Sequence, residues 1–199
     1  MLDVDAILQL HRTMVDRWHQ HTVDNPYSEF LGLVCRQFGF NFLLWHEEDI
    51  ARSPTASAAE IAQVKRNIDR YNQQRNDAIE QLDDWITARL GELQIVPPAA
   101  AKLNTETAGS AIDRLSILTL RIYHLNEQTA RADASPDHLA SVERKLALAG
   151  TQHIDLSQSL RELVDDLFAG RKRHKTYRQM KMYNDPTLNP YLYNAASGT

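Results

Sequence analysis

Residues Trp45-His46-Glu47-Glu48-Asp49 form the densest polar cluster in the chain. One histidine and three acids in so short a stretch can do general acid–base work or donate to a metal. His46 stands three residues before Asp49 and Glu48 four before Arg52, so each pair meets on one turn of a helix. Three readings are open: a helix end turning polar as it meets solvent, a ligand or metal site, and a buried network. A second group runs through Asn72, Gln73, Gln74, Arg75, Asn76 and Asp77 to Glu80. Arg75 falls in a slot that the surrounding pattern reserves for an apolar side chain. An unpaired guanidinium there costs several kcal/mol. It therefore pairs with a carboxylate, awaits an anionic ligand, or reaches solvent through a gap. A third group is Gly109-Ser110 with Arg114. Free N–H groups, a helix dipole and an arginine can bind phosphate or carboxylate, although every capped helix shares most of these features.

Other chemistries lack their full complement. A di-metal carboxylate bundle wants paired Glu-x-x-His motifs. The chain has only Asp16-x-x-His19 and the reversed pairs His46/Asp49 and His124/Glu127. Glu80-x-x-Asp83 and Glu162-x-x-Asp165 only faintly resemble acid pairs for Mg²⁺-dependent pyrophosphate cleavage. No metal-ligand set is read, and no cofactor is expected. Cys35, the single cysteine, sits among Leu33, Val34 and Phe38 and reads as a buried, inert thiol.

The elements that carry these groups are helical. Ile7, Leu10, Met14 and Trp18 mark a first helix over 4–21. Pro26 and Asn25 suit the start of a second over 26–52, apolar around most of its circumference. Ser57-Ala58-Ala59-Glu60 has capping-box spacing and opens a third over 58–93, whose near-heptad repeat Arg75 interrupts. After a connector at 95–109, Ser110-Ala111-Ile112-Asp113 reads as the cap of a fourth over 110–130. Ser135-Pro136 opens a fifth, ended by Gly170, with Gly150 a candidate kink. The expected fold is all-α: an antiparallel bundle of about five long helices over 1–170, without β-sheet. A basic, turn-rich tail over 171–199 packs on the bundle or extends from it. Helices two and four should be the most buried.

The short link between helices two and three makes them antiparallel neighbours. Counting from the turn sets Asp49 level with about Glu60 and Arg75 level with about Val34, roughly 20 Å apart. Asp49 and Arg75 should not touch, and Glu48 or Asp49 should pair with Lys65 or Arg66. If helix four folds back on helix three, Arg75, Asp77 and Glu80 come near Arg121, His124 and Glu127.

With 199 residues and a net charge of −4, the chain can bury a full core and has no global field to recruit nucleic acid. Six bases between Arg171 and Lys181, with Tyr177 and Tyr183, are set against that body; RNA binding is not the expected role. The first residues carry acids before any base and do not read as a signal peptide. The longest apolar run, Phe42 to Trp45, is too short to span a membrane. A cytoplasmic location follows by default.

Four blocks together, NFLLWHEEDIAR (41–52), KRNIDRYNQQRNDAIEQLD (65–83), GSAIDRLSILTLRIYHLNEQ (109–128) and KMYNDPTLNP (181–190), resemble an uncharacterised bacterial family, a domain of unknown function about as long as this chain. The resemblance implies work beside glycosyltransferases of the cell envelope, in surface-glycan synthesis, and brings no catalytic residue with it. The candidate ligand-binding residues are His46, Glu48, Asp49, Arg66, Arg75, Asn76, Asp77 and Arg114. The first functional expectation is a binding or accessory protein for an anionic small molecule, a sugar phosphate or nucleotide sugar, with a glycosyltransferase partner. The alternatives are a metal-dependent hydrolase or pyrophosphohydrolase using the 45–49 carboxylates, and a structural interaction module. An oligomer is compatible with all three.

Overall fold

The structure is a computed structural model that describes residues 2–179 and 185–192. Residues 181–184, which open the 181–190 block and include Lys181 and Tyr183, lie outside the described residues. Five helices carry the fold: α1 (Val4–Trp18), α2 (Glu29–Ala51), α3 (Ala58–Glu92), α4 (Ala108–Thr129) and α5 (Pro136–Phe168). α2 packs along α3 and α4 along α5, and α1 lies against both pairs. None of these helices is long and apolar enough to cross a membrane.

Local chemistry sets the helix starts. Asp3 caps α1 by accepting from the Ala6 N–H, and Ser57 and Glu60 form the reciprocal capping box of α3. Ser135 caps α5 with Pro136 in its first turn. Two starts differ from the sequence reading. α2 begins at Glu29, because Asn25 bonds the Gly32 carbonyl and the Tyr27 N–H instead of capping. α4 begins two residues early: Thr107 is the cap, and Ser110 is the residue whose N–H it receives. Gly170, at φ +68°, ends α5 where the chain needs a left-handed turn, while Gly150 sits inside α5 without ending it.

The core joins α1, α2 and α4 around Phe38, Met14, Ile112 and Leu115, with Leu82, Ile86, Leu160 and Leu167 closing it from α3 and α5. α2 and α4 are indeed more buried than α3 and α5. α1 exceeds them in proportion, with 8 of its 15 residues buried, because it is the short helix wedged between the two hairpins. The fold is all-α as expected, and one short feature departs from the expected absence of β-sheet. Lys102–Leu103 (β1), in the long connector, pairs in parallel with Lys172–Arg173 (β2) just after α5. The segment beyond β2 continues across α3, where Arg178 meets Glu80 and Asp84 and His174 bonds the Asp83 carbonyl at 3.0 Å.

Candidate functional site

Three histidines from three helices converge at one end of the core. His19 follows the last residue of α1, His46 lies in the last turns of α2, and His124 lies in the last turns of α4. One ring nitrogen from each falls within 4.8 Å of the others. The Nδ1 atoms of two are already engaged. His19 Nδ1 lies 2.7 Å from the Val15 carbonyl, and His124 Nδ1 lies 2.7 Å from a Glu127 carboxylate oxygen. Both contacts place the ring proton on Nδ1, leaving each Nε2 a free lone pair. Both Nε2 atoms are buried without a hydrogen-bond partner. His46 Nδ1 stands 4.0 Å from Asp49. Burial lowers the pKa of His46; the neighbouring His19 and His124 rings lower it further, against Asp49 and Glu127. A neutral imidazole in apolar surroundings, its second nitrogen oriented by a carbonyl or carboxylate, is the form that ligates metals.

Aromatic rings hold the cluster in shape. Tyr123 stacks on His19 at 4.0 Å between ring centres, Trp45 stacks on His124 at 4.8 Å, and Phe42 meets both His19 and His46 edge-on. Trp45 also lines a cavity of about 430 Å³ between α2, α3 and α4, with Asn41, Asp49, Asn72, Arg75 and Leu120 among its other walls. The ring is therefore common to the histidine cluster and the cavity.

Beneath that cavity lies a buried polar network. Asp113 of α4, its side chain 5% exposed, accepts from Gln37 Nε2 at 2.6 Å, Asn41 Nδ2 at 2.8 Å and Arg75 Nε at 2.7 Å, and its second oxygen takes Arg75 Nη2. Asn41 also donates to Ser116 at 2.8 Å. Arg75 thus has its carboxylate, and the hydrogen bond with that carboxylate raises the arginine pKa further.

The partners differ from those the hairpin count assigns. Arg75 bonds Asp113, one helix turn into α4, not the Arg121–Glu127 stretch. Glu48 pairs with Arg52 at 2.5 Å, Lys65 with Asp69, and Glu47 is the acid that reaches α3, accepting from Asn67 Nδ2 at 2.8 Å. The Glu47–Asn67 and Arg36–Gln81 bridges fix the true register. The exposed start of α3, residues 58–63, overhangs the end of α2. This slides Arg75 to about the level of residue 41, and its separation from the Asp49 level shrinks to roughly 13 Å. Asp49 and Arg75 do not bond, yet both line the same cavity.

The fold brings Glu48, Asp49 and Arg75 together there and His46 to the histidine cluster. Arg66 is exposed on α3, Asp77 accepts from Gln73, Asn76 is half-buried on α3, and Arg114 lines a different groove, between α4 and α5. Cys35 is a buried free thiol, its pKa pushed up to about 12 by burial and then by Asp24. The residues left out of the candidate ligand set are His19 and His124, weighed only as parts of incomplete metal motifs, and Asp113. A signal for the histidines was present: three of the eight follow a large aromatic directly, as Trp18-His19, Trp45-His46 and Tyr123-His124. In a helix, consecutive residues point about 100° apart, so an aromatic packed in or against the core leaves the next side chain at the core's edge. Asp113 was hidden because the spacing from Ser110 made it look like a capping acid.

No significant match is found among curated proteins or among solved structures. One family model matches residues 31–176, which includes His46 and His124 and leaves His19 outside. The chain belongs to the family described as "Protein of unknown function (DUF4254)".

Proposed function

We propose that this chain is a metal-dependent enzyme of hydrolase type, with one divalent transition-metal site formed by His19, His46 and His124. The reading is carried by one cluster: a ring nitrogen from each of the three histidines lies within 4.8 Å of the others, and His19 and His124, oriented through Nδ1, each keep a buried, unpartnered Nε2. Tetrahedral ligation at about 2.0–2.1 Å spaces ligand nitrogens roughly 3.3 Å apart. Ring rotations of about an ångström close that difference. Imidazole-only ligation suits zinc, and three protein ligands leave a fourth position open, as catalytic rather than structural sites do. A bound ion supplies a Lewis acid at that position.

The chain's own residues account for the rest. The Val15 carbonyl and Glu127 fix two tautomers, while Phe42, Trp45 and Tyr123 pack against the half-buried rings and hold them in place. The cavity beyond Trp45 is of ligand size. Asp49 lines it and stands near His46, which makes it the residue to accept or return a proton. The 45–49 acids thus serve around the metal rather than as its ligands. The family resemblance implies work in surface-glycan synthesis, and the substrate class we propose is an anionic small molecule of that chemistry.

Calorimetric titration of chelator-treated protein with Zn²⁺, paralleled by Co²⁺ absorption, tests the reading. One equivalent should bind, and His46→Ala or His124→Ala should abolish it. Wild-type protein that takes up no stoichiometric metal would sink the proposal.

A further inference from the structure

An open groove of about 520 Å³ runs between α4 and α5. Arg114 and Arg121 of α4 line it, seven residues apart on one stripe, and Gln152, Asp155 and Ser159 of α5 face them. Eight of the sixteen arginines form ion pairs among the described residues, Arg17 with Asp24, Arg52 with Glu48, Arg75 with Asp113 and Arg178 with Glu80 and Asp84 among them. Among the described residues, neither Arg114 nor Arg121 makes an ion pair or a side-chain hydrogen bond. Two unmatched guanidinium groups on one concave wall repel each other and gain when an anion enters. Their planar forks fit tetrahedral or planar oxyanions, and the wall between these exposed side chains is apolar (Ile117, Leu118). Asp155 and Ser159 opposite can accept from and donate to hydroxyl groups beside that anion.

We infer that this groove binds a soluble, hydroxyl-bearing organic phosphate, with Arg114 and Arg121 holding the phosphate oxygens and Asp155 selecting for the hydroxyls. The seven-residue stagger sets the two Cα atoms about 10 Å apart, which both side chains can span to one diphosphate. The inference stands on these arginines and does not need the metal reading, although Ile117 lines this groove and the cavity beyond Trp45 alike.

The test uses full-length protein stripped of metal by chelation, so that failure of the metal proposal leaves it intact. Inorganic pyrophosphate, the probe, should bind with one-to-one stoichiometry by calorimetry. Arg114→Gln and Arg121→Gln should each weaken it about tenfold or more, the loss expected for one charge-assisted contact. Arg70→Gln, which removes an exposed arginine on α3 that bonds only Asn67, should leave affinity unchanged. Absence of pyrophosphate binding, or equal weakening by Arg70→Gln, overturns the inference. Cosedimentation with phosphatidylglycerol vesicles that pyrophosphate fails to displace would overturn the soluble ligand in favour of a lipid headgroup.

Discussion

His11 is fully buried on α1, tilted against Phe38 at 4.9 Å, and neither of its ring nitrogens has a hydrogen-bond partner. Burial, then His153 and Arg12, lower its pKa from 6.5 to about 3. The unfolded chain therefore binds a proton on this residue that the folded chain refuses. The stabilising effect is complete above pH 6.5 and shrinks as pH falls from there toward 3. By pH 5 the loss amounts to about 2 kcal/mol from this side chain. His46 and His153, both lowered, add slopes of the same sign. Urea midpoints of wild type should fall between pH 7.5 and 5.0, and His11→Leu should show a clearly shallower fall; parallel slopes would refute the assignment. The same scale shows why only part of the site was legible. Local pairs declare themselves in sequence: Glu48–Arg52, His46 with Asp49, and His124–Glu127 all occur at helical spacing. The meeting of His19 with His46 and His124 is a property of three helices at once, and no spacing within one helix encodes it.

Between elements, two contacts decide how α3 and α4 dock. The first is the Asp113 network, which ties α2, α3 and α4 through one carboxylate. Arg75→Met keeps the volume but leaves Asp113 buried with only neutral donors. The cost should be about 3–5 kcal/mol by chemical denaturation, with the m-value preserved. Adding Asp113→Leu should recover much of that loss; a double variant no better than the single one would show that the pair does not carry the docking. The second is Gly109. A β-carbon there would stand 2.8 Å from both an Asp83 carboxylate oxygen and the Ile79 carbonyl, and the Gly109 N–H itself bonds that carboxylate at 2.8 Å. Gly109→Ala should cost about 1–3 kcal/mol as the helices part, read as a lowered Tm; an unchanged Tm would mean the approach is looser than drawn. Helix identity was legible because apolar periodicity runs through every segment. Register was not: the count from the turn assumed that both helices begin packing at once, and the overhang of residues 58–63 is set by tertiary contacts such as Glu47–Asn67.

For the whole molecule, the segment after α5 behaves as a strap. β2 bonds the connector strand β1, His174 is buried beside Asp83, and Arg178 straddles Glu80 and Asp84. A chain ending at Gly170 should keep its far-UV helical signal. It should lose about 2 kcal/mol with the hydrogen bonds this segment makes to the bundle, seen as an earlier denaturation midpoint; identical midpoints would make residues 171–179 an appendage. The basic character of this stretch is met in part by acids of the bundle: Arg178 by Glu80 and Asp84 of α3, and Arg171 and Lys172 by Asp166 of α5. The shared ring of Trp45 has a consequence of another kind. Its indole touches His124 on one side and bounds the cavity on the other, so a shift of the ring changes both sites together. Thermodynamic reciprocity then applies: by whatever factor an ion at the histidines alters affinity in the cavity, a cavity ligand alters affinity for the ion by the same factor. A single indole thereby acts as a two-sided gauge, and its fluorescence should respond to titration from either direction.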